Sequence, residues 1–406
     1  MARLIRAIGA VVLAIALSFV VSSCGSGSAT TSARSEAAAP AAGSLHAPGC
    51  TNRADVGASL DGVSTTMVHL PGEPFGAVST RDGRWSFLSL GHQVAVMRER
   101  GGVPRLVRLI GVPGAPRAET LSHDGRYLLL TDGGGPVVLS VARAERGGAN
   151  PVMGTLSTPG GVAGAIDVAT SPDDAYAFAT LETRGVIAVF DLRRALARGF
   201  RGAEYVGAIP LGVAPLGIAI SPNGRWLYAT SEFAAHPVSR SRSRGTLSVI
   251  DVRLAETQPS HAILATAAAA CNPARVAVSP DGQTVWATAR RSNAVLGYST
   301  AKLLSDPRHA LVAVVPVGRE PIGLGFVNGG SRMIVFDSNP SRAPGETTGL
   351  TVVDPAAAVA GRSAVLGTLA TGPYPREVTI APGNQTLLVS RFAPGADEVV
   401  RTANLP

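Results

Sequence analysis

At 406 residues, 46% hydrophobic and only 16% charged, the chain has ample apolar material for a large core. Gly (47) and Pro (29) are abundant and Met is scarce (5), which suits many short strands joined by tight turns and argues against long helices. The formal charge of +8 is scattered over loop segments with few neighbouring aromatics, so nucleic acid is not an expected partner.

The chain opens with MARLIR, basic through Arg3 and Arg6, followed by the apolar run AIGAVVLAIALSFVV at 7–21. That run is shorter than the roughly 20 residues of a membrane span and suits the apolar region of a signal peptide. It ends in Val21-Ser22-Ser23-Cys24, which resembles the bacterial lipobox. The resemblance implies a lipoprotein signal peptide over 1–23, lipid attachment at the Cys24 sulfur, and acylation of the new amino terminus. Several acyl chains anchor durably where one is marginal. An ordinary secretory signal with an incidental Cys24 is the alternative. Arg3 and Arg6 are not adjacent, so a twin-arginine route has no support.

Residues 24–44 continue as small and polar residues that cannot bury enough surface to offset their ordering entropy, so they read as a flexible tether. The expected location is the cell membrane, lipid-anchored, on its extracytoplasmic face. Two cysteines remain, Cys50 and Cys271. An exported protein favours a disulfide between them, with two separate buried thiols as the other reading.

Residues 45–406 carry an internal repeat. Its clearest copies are PLGIAISPNGRWLYAT (215–230), followed by GTLSVIDV (245–252), and PARVAVSPDGQTVWAT (273–288), followed by AVLGYST (294–300). Weaker copies begin at 74, 116, 165, 321 and 375, giving seven at spacings of roughly 42 to 58 residues, the period of propeller blades. In each, a small-residue strand follows Pro, and a Ser-Pro-Asp-Gly-like turn reverses it: Pro fixes φ and Gly tolerates positive φ. Further strands follow, such as VIAVFD (186–191), LTVVD (350–354) and LVAVVPVG (311–318). The expectation is an all-β, seven-bladed β-propeller of four-stranded antiparallel blades. The last copy lacks an outer strand and TTMVHL (65–70) is available to supply it, so the ring is expected to close by N-terminal strand pairing with the last blade.

The motifs SPNGRWLYAT with GTLSVIDV, SPDGQTVWAT, and GLTVVDP (349–355) resemble the YVTN-type repeats of bacterial seven-bladed propellers. The resemblance covers about residues 64–402, with blades two, six and seven departing in the turn. It implies a surface or periplasmic protein that binds a ligand or partner, without tying it to one activity.

Two residues after the repeat's leading position stand Gly76, Ala118, Asp167, Gly217, Arg275, Gly323 and Glu377. Gly and Ala suit crowded inner strands; Asp167, Arg275 and Glu377 are charged, and Glu119 sits one residue further on in blade two. These four are candidate ligand contacts at the channel mouth, or else an ion network that fixes blade packing. Loops entering the inner strands add Arg117, Arg319, Glu320 and Arg376. A long insertion at 231–244 carries Arg240, Arg242 and Arg244 alternating with Ser, read as either an anion-binding loop or a solvated one.

No Gly-x-Ser-x-Gly elbow, His-Glu-x-x-His or phosphate-cradling loop is present, no catalytic residue is assigned, and no cofactor or metal is expected. His123 replaces the turn Pro of blade two. The chain therefore reads as a monomeric, non-enzymatic ligand-binding or scaffolding propeller, its partner a small polar ligand or an envelope protein. A lactonase-type hydrolase is the alternative, in which Glu377 or Asp167 would act as acid or base beside Arg275.

Overall fold

The computed structural model describes residues 45–50, 53–55, 57–161, 164–202, 204–235, 243–339, 348–380, 386–391, 396–401 and 405–406. The segments expected to be a signal peptide (1–23) and a tether with Cys24 (24–44), and also Arg240 and Arg242, lie outside the described residues.

Each repeat copy folds into one four-stranded antiparallel sheet, its strands neighbouring in chain order. In blade three, β-branched and aromatic residues form Ala165–Thr170, Tyr176–Leu181, Val186–Asp191 and Tyr205–Pro210. The first strands of the seven blades are Pro74–Ser79, Glu119–Leu121, Ala165–Thr170, Val213–Ile220, Pro273–Val278, Pro321–Val327 and Pro375–Ile380. Each touches the next, and the last touches the first, so they ring a common axis as the innermost strands. The protein is a seven-bladed β-propeller.

Seven apolar clusters fill the wedges between neighbouring blades. One joins Leu129 and Val138 of blade two to Ala179 and Phe190 of blade three. Another joins Leu388 and Val399 of blade seven to Leu88 and Met97 of blade one. A fully buried side chain of this size contributes roughly 1.5–3 kcal/mol, and no single blade could bury both faces alone. In blade seven, Thr65–His69 pairs antiparallel with Ala396–Arg401, with Thr65 opposite Val400 and His69 opposite Ala396.

The turn motif is a hydrogen-bonded unit. Ser221 Oγ donates to Asn223 Oδ1 (2.7 Å) and accepts from the Trp226 N–H (2.9 Å). Ser122 with Asp124, Ser171 with Asp173 and Ser279 with Asp281 repeat it. Five short α-helices follow the third strands of blades two to six, a feature the sequence reading missed. Each has an N-cap whose side chain accepts an N–H of the first turn: Ser140, Asp191, Asp251, Ser299 and Asp354. These helices share one face of the ring, the turn face, with the Ser-Pro-Asp-Gly turns. The opposite, loop face carries the connections between blades.

A strap precedes the first blade. Cys50 is disulfide-bonded to Cys271 at the end of blade four's outer strand. The Asp55 N–H then donates to Val317 O beside blade five (2.8 Å), and the Leu60 N–H to Thr368 O in blade six (3.0 Å). The chain next enters blade seven as its outer strand. Gly57 and Gly367 allow this close approach: a Cβ on Gly57 would lie 2.8 Å from Val365, and one on Gly367 2.5 Å from Leu60.

Candidate functional site in the central channel

The small residues of the aligned column have a steric cause. A Cβ on Gly217 would lie 2.7 Å from Ala274 O of the next blade, and one on Gly323 2.6 Å from Arg376 O. Where the column is charged, side chains reach into the space that glycine leaves. Arg275 Nε donates to Glu377 Oε1 across the channel (2.7 Å), and its Nη2 contacts the same oxygen. Both side chains are largely buried, at 11% and 21% exposure. Burial alone would pull the Arg275 guanidinium down, but the Glu377 and Asp167 charges outweigh it and hold it above its ordinary value.

Asp167 is half-buried by its accessible surface and sits deep among the inner strands. Its Oδ1 accepts from the Val168 N–H (2.9 Å) and its Oδ2 from the Ile218 N–H of blade four (3.1 Å). Burial pushes its carboxyl up to about 6; Arg275 pulls the other way, and Glu377 adds to the rise. Glu119 Oε1 accepts from the Ser89 N–H (3.3 Å), and its carboxylate lies over Gly76, where a Cβ would come within 2.4 Å. The four predicted charged residues of the column region therefore share one electrostatic environment. Arg275 and Glu377 form its closed pair, and Asp167 acts on that pair by charge while its oxygens bond two backbone N–H groups.

The residues expected on the entering loops lie at the rim, but Arg376 is not on a loop: it is the second residue of blade seven's inner strand, Pro375–Ile380. Arg117 is exposed, and Arg319 is half-buried with its carbonyl accepting from the Asn339 N–H (3.1 Å). Arg376 lays its guanidinium over Phe75, Cζ 5.2 Å from the ring centroid; burial, with Arg275 and Arg290 nearby, pulls it down to about 10. Glu320 is buried, its N–H bonded to Asn293 Oδ1 (2.9 Å) and its carboxylate 3.9 Å from Arg291. Arg244 does not extend an open loop: it opens the third strand of blade four and donates to Ala47 O of the strap (3.2 Å).

A cavity of about 720 Å³ opens on the turn face, lined by the inner strands of blades one to four, with Glu119 and Asp167 among its walls. Asp82, Glu145, His123 and Thr170 also line it. Burial, then the Asp82 charge, raises the Glu145 carboxyl. A depression of about 890 Å³ between the turns of blades three and four draws nothing from the inner strands.

Two residues that the sequence reading left unassigned meet at this cavity's edge. At the three junctions from blade three to blade six the turn Pro of one blade packs against the turn Gly of the next, as Pro280 does against Gly330, where a Cβ would come within 3.0 Å. Between blades two and three the pair becomes His123 and Asp174. The Asp174 carboxylate accepts from the His123 N–H (2.7 Å), the Asp124 N–H (2.9 Å) and the Thr170 hydroxyl (2.9 Å), and lies 3.2 Å from His123 Nδ1. Asp174 keeps the left-handed backbone (φ 54°) that Gly holds elsewhere. The substitution was visible in blade two as a missing Pro; its partner showed only as a missing Gly one blade later.

Among the described residues no group of three or more His, Cys, Asp or Glu is placed to hold a metal ion, and no helix is long and apolar enough to cross a membrane. No protein-family model matches the chain, and no curated protein sequence matches it. A solved structure of Kuenenia stuttgartiensis hydrazine synthase is similar in fold: TM-score 0.63 at 17% identity, over 85% of this chain and 99% of that one. That level of identity carries the fold alone.

Proposed function

We propose that the protein is a membrane-anchored, extracytoplasmic propeller that binds a small polar ligand in the turn-face cavity. The observation that carries this reading is the cavity of about 720 Å³ with Glu119, Glu145 and Asp167 among its lining residues. Pockets of this size, with a few convergent polar groups and a shifted carboxyl, are where ligands bind. The acidic lining favours a ligand rich in N–H or O–H donors, an amine or a polyol. The lipobox-like Val21-Ser22-Ser23-Cys24 and the YVTN-like repeats support the anchored, extracytoplasmic placement.

The test is a thermal-shift screen of the purified protein against amines, sugars and lactones. A stabiliser whose effect disappears in Asp167→Asn supports the cavity; a stabiliser indifferent to Asp167→Asn and Glu119→Gln refutes it. Palmitate labelling of the expressed protein, lost in Cys24→Ala, tests the anchor separately.

One observation favours a second reading, a lactone hydrolase. Asp167 is raised to about 6 in an open cavity, as a general acid requires. Glu377 is less suited to that role, being closed against Arg275. Lactone turnover that falls as pH rises through about 6, and is lost in Asp167→Asn, would select this reading over binding alone.

A further inference from the structure

The loop face carries a second set of charges that the turn-face cavity does not use. One residue before the aligned column, five blades place an apolar side chain: Phe75, Ile166, Leu216, Ala274 and Ile322. Blades two and seven place Arg117 and Arg376 there. These flank blade one on either side, so Arg376, Phe75 and Arg117 follow one another around the ring. Arg376 stacks on the Phe75 ring at 5.2 Å. The next residue, Gly76, touches the Arg117 backbone so closely that a Cβ would lie 2.9 Å from its carbonyl. The fold does not demand guanidinium at this position, since five blades fill it with apolar groups.

Cations outnumber anions around Arg376: Arg275, Arg290 and Arg117 act on it as neighbouring cations, and Glu377 opposes them. Of the loop-face acids, Glu232 bonds Arg290 at 2.8 Å and the buried Glu320 carboxylate lies 3.9 Å from Arg291, while Glu73, two residues before Phe75, is exposed. Asp337, buried and raised to about 8, is mostly uncharged at neutral pH. Arg117 is exposed and enters no ion pair among the described residues.

We propose that Arg117 and Arg376 form a clamp at the loop-face rim for an organic anion. Its carboxylate or phosphate head would lie between the two guanidiniums and its apolar body against Phe75. Planar guanidinium forks match both head groups, and the aromatic ring selects ligands with an apolar body over bare ions. This site is independent of the turn-face cavity and lies beyond the Arg275–Glu377 pair from it.

Isothermal titration of the full-length protein in non-ionic detergent with phenylacetate, phenyl phosphate, inorganic phosphate and benzylamine tests the clamp. The expected result is binding of phenylacetate or phenyl phosphate, or both, which also identifies the head group preferred. Benzylamine should not bind, and inorganic phosphate should bind at least tenfold more weakly. Arg117→Ala should weaken binding about tenfold or more with an unchanged melting temperature, because its side chain is exposed. Arg376→Lys, which keeps the charge and loses the fork, should also weaken it, while Asp167→Asn should leave it intact. Equal binding of inorganic and phenyl phosphate would overturn the proposal, as would undiminished binding in Arg117→Ala or no binding of either organic anion.

Discussion

Asp167 and Glu377 occupy equivalent positions in two blades, yet one faces a paired arginine and the other two backbone N–H groups. That difference gives Asp167 a readable effect on stability. Its folded carboxyl is raised from 3.8 to about 6, so the folded state holds this proton more tightly than the unfolded chain. As pH rises from about 4 to 6 the unfolded state ionises first, and stability falls by up to about 3 kcal/mol before levelling off. Asp337, raised to about 8, adds a decline of the same sign that continues to higher pH. Urea midpoints of wild type minus Asp167→Asn should therefore isolate a step between pH 4 and 6, with the variant more stable at pH 7; parallel curves would place the carboxyl in a wetter site. The closed pair makes a different prediction. Arg275→Ala should destabilise by about 3–5 kcal/mol because it strands Glu377. Adding Glu377→Ala should cost far less than the sum of the two single changes, and additive losses in a double-mutant cycle would mean that the two groups act separately.

A hydroxyl recurs at one place on the second strand of six blades, and it ties neighbouring blades together. Thr230 Oγ1 accepts from the Gly217 N–H of its own blade (3.0 Å) and donates to Ala274 O of the next (2.7 Å). Thr131, Thr180, Thr288 and Ser390 repeat both bonds, and Ser89 the first of them. In blade six, where Phe336 holds the position, Ser338 two residues later donates to Pro375 O of blade seven. Thr230→Val keeps the shape and leaves a buried N–H and carbonyl unmet, so it should cost about 1–3 kcal/mol in denaturant unfolding; a neutral result would mean that water replaces the hydroxyl. The hydroxyl letters of this column stood in six of the seven repeat copies, but from sequence alone a strand Thr reads as β-propensity. Strands were legible because apolar period and turn chemistry agree; VIAVFD at 186–191 is a strand with those bounds. The capped helices escaped because five to seven residues are too few for helical period to show, although the Ser or Asp closing each third strand was a usable signal. The charged column was found by alignment, whereas the His123–Asp174 exchange spans two blades and needed their contact to be seen.

The strap joins scales, because its effect falls on four blades at once. Only its covalent end was legible in the sequence. Its backbone attachments, through the N–H of Asp55 and of Leu60, are announced by no side-chain pattern. The Cys50–Cys271 bond closes a separation of 221 residues, so chain entropy allows it up to about 5 kcal/mol of stabilisation through the unfolded state. Cys50→Ser with Cys271→Ser should lower the unfolding free energy by an amount approaching that figure. Gly367→Ala, which drives a Cβ against Leu60 at a φ of 155° that side chains avoid, should loosen the strap with the disulfide intact. Hydrogen exchange separates the two effects. If the disulfide also holds the native strap in place, the Asp55 and Leu60 amides should exchange faster in the double-serine variant, while Leu129 in the blade two core stays as protected as global stability allows. If those two amides are no less protected than the fall in global stability requires, the strap is held by its own backbone bonds and the disulfide acts only on the unfolded chain.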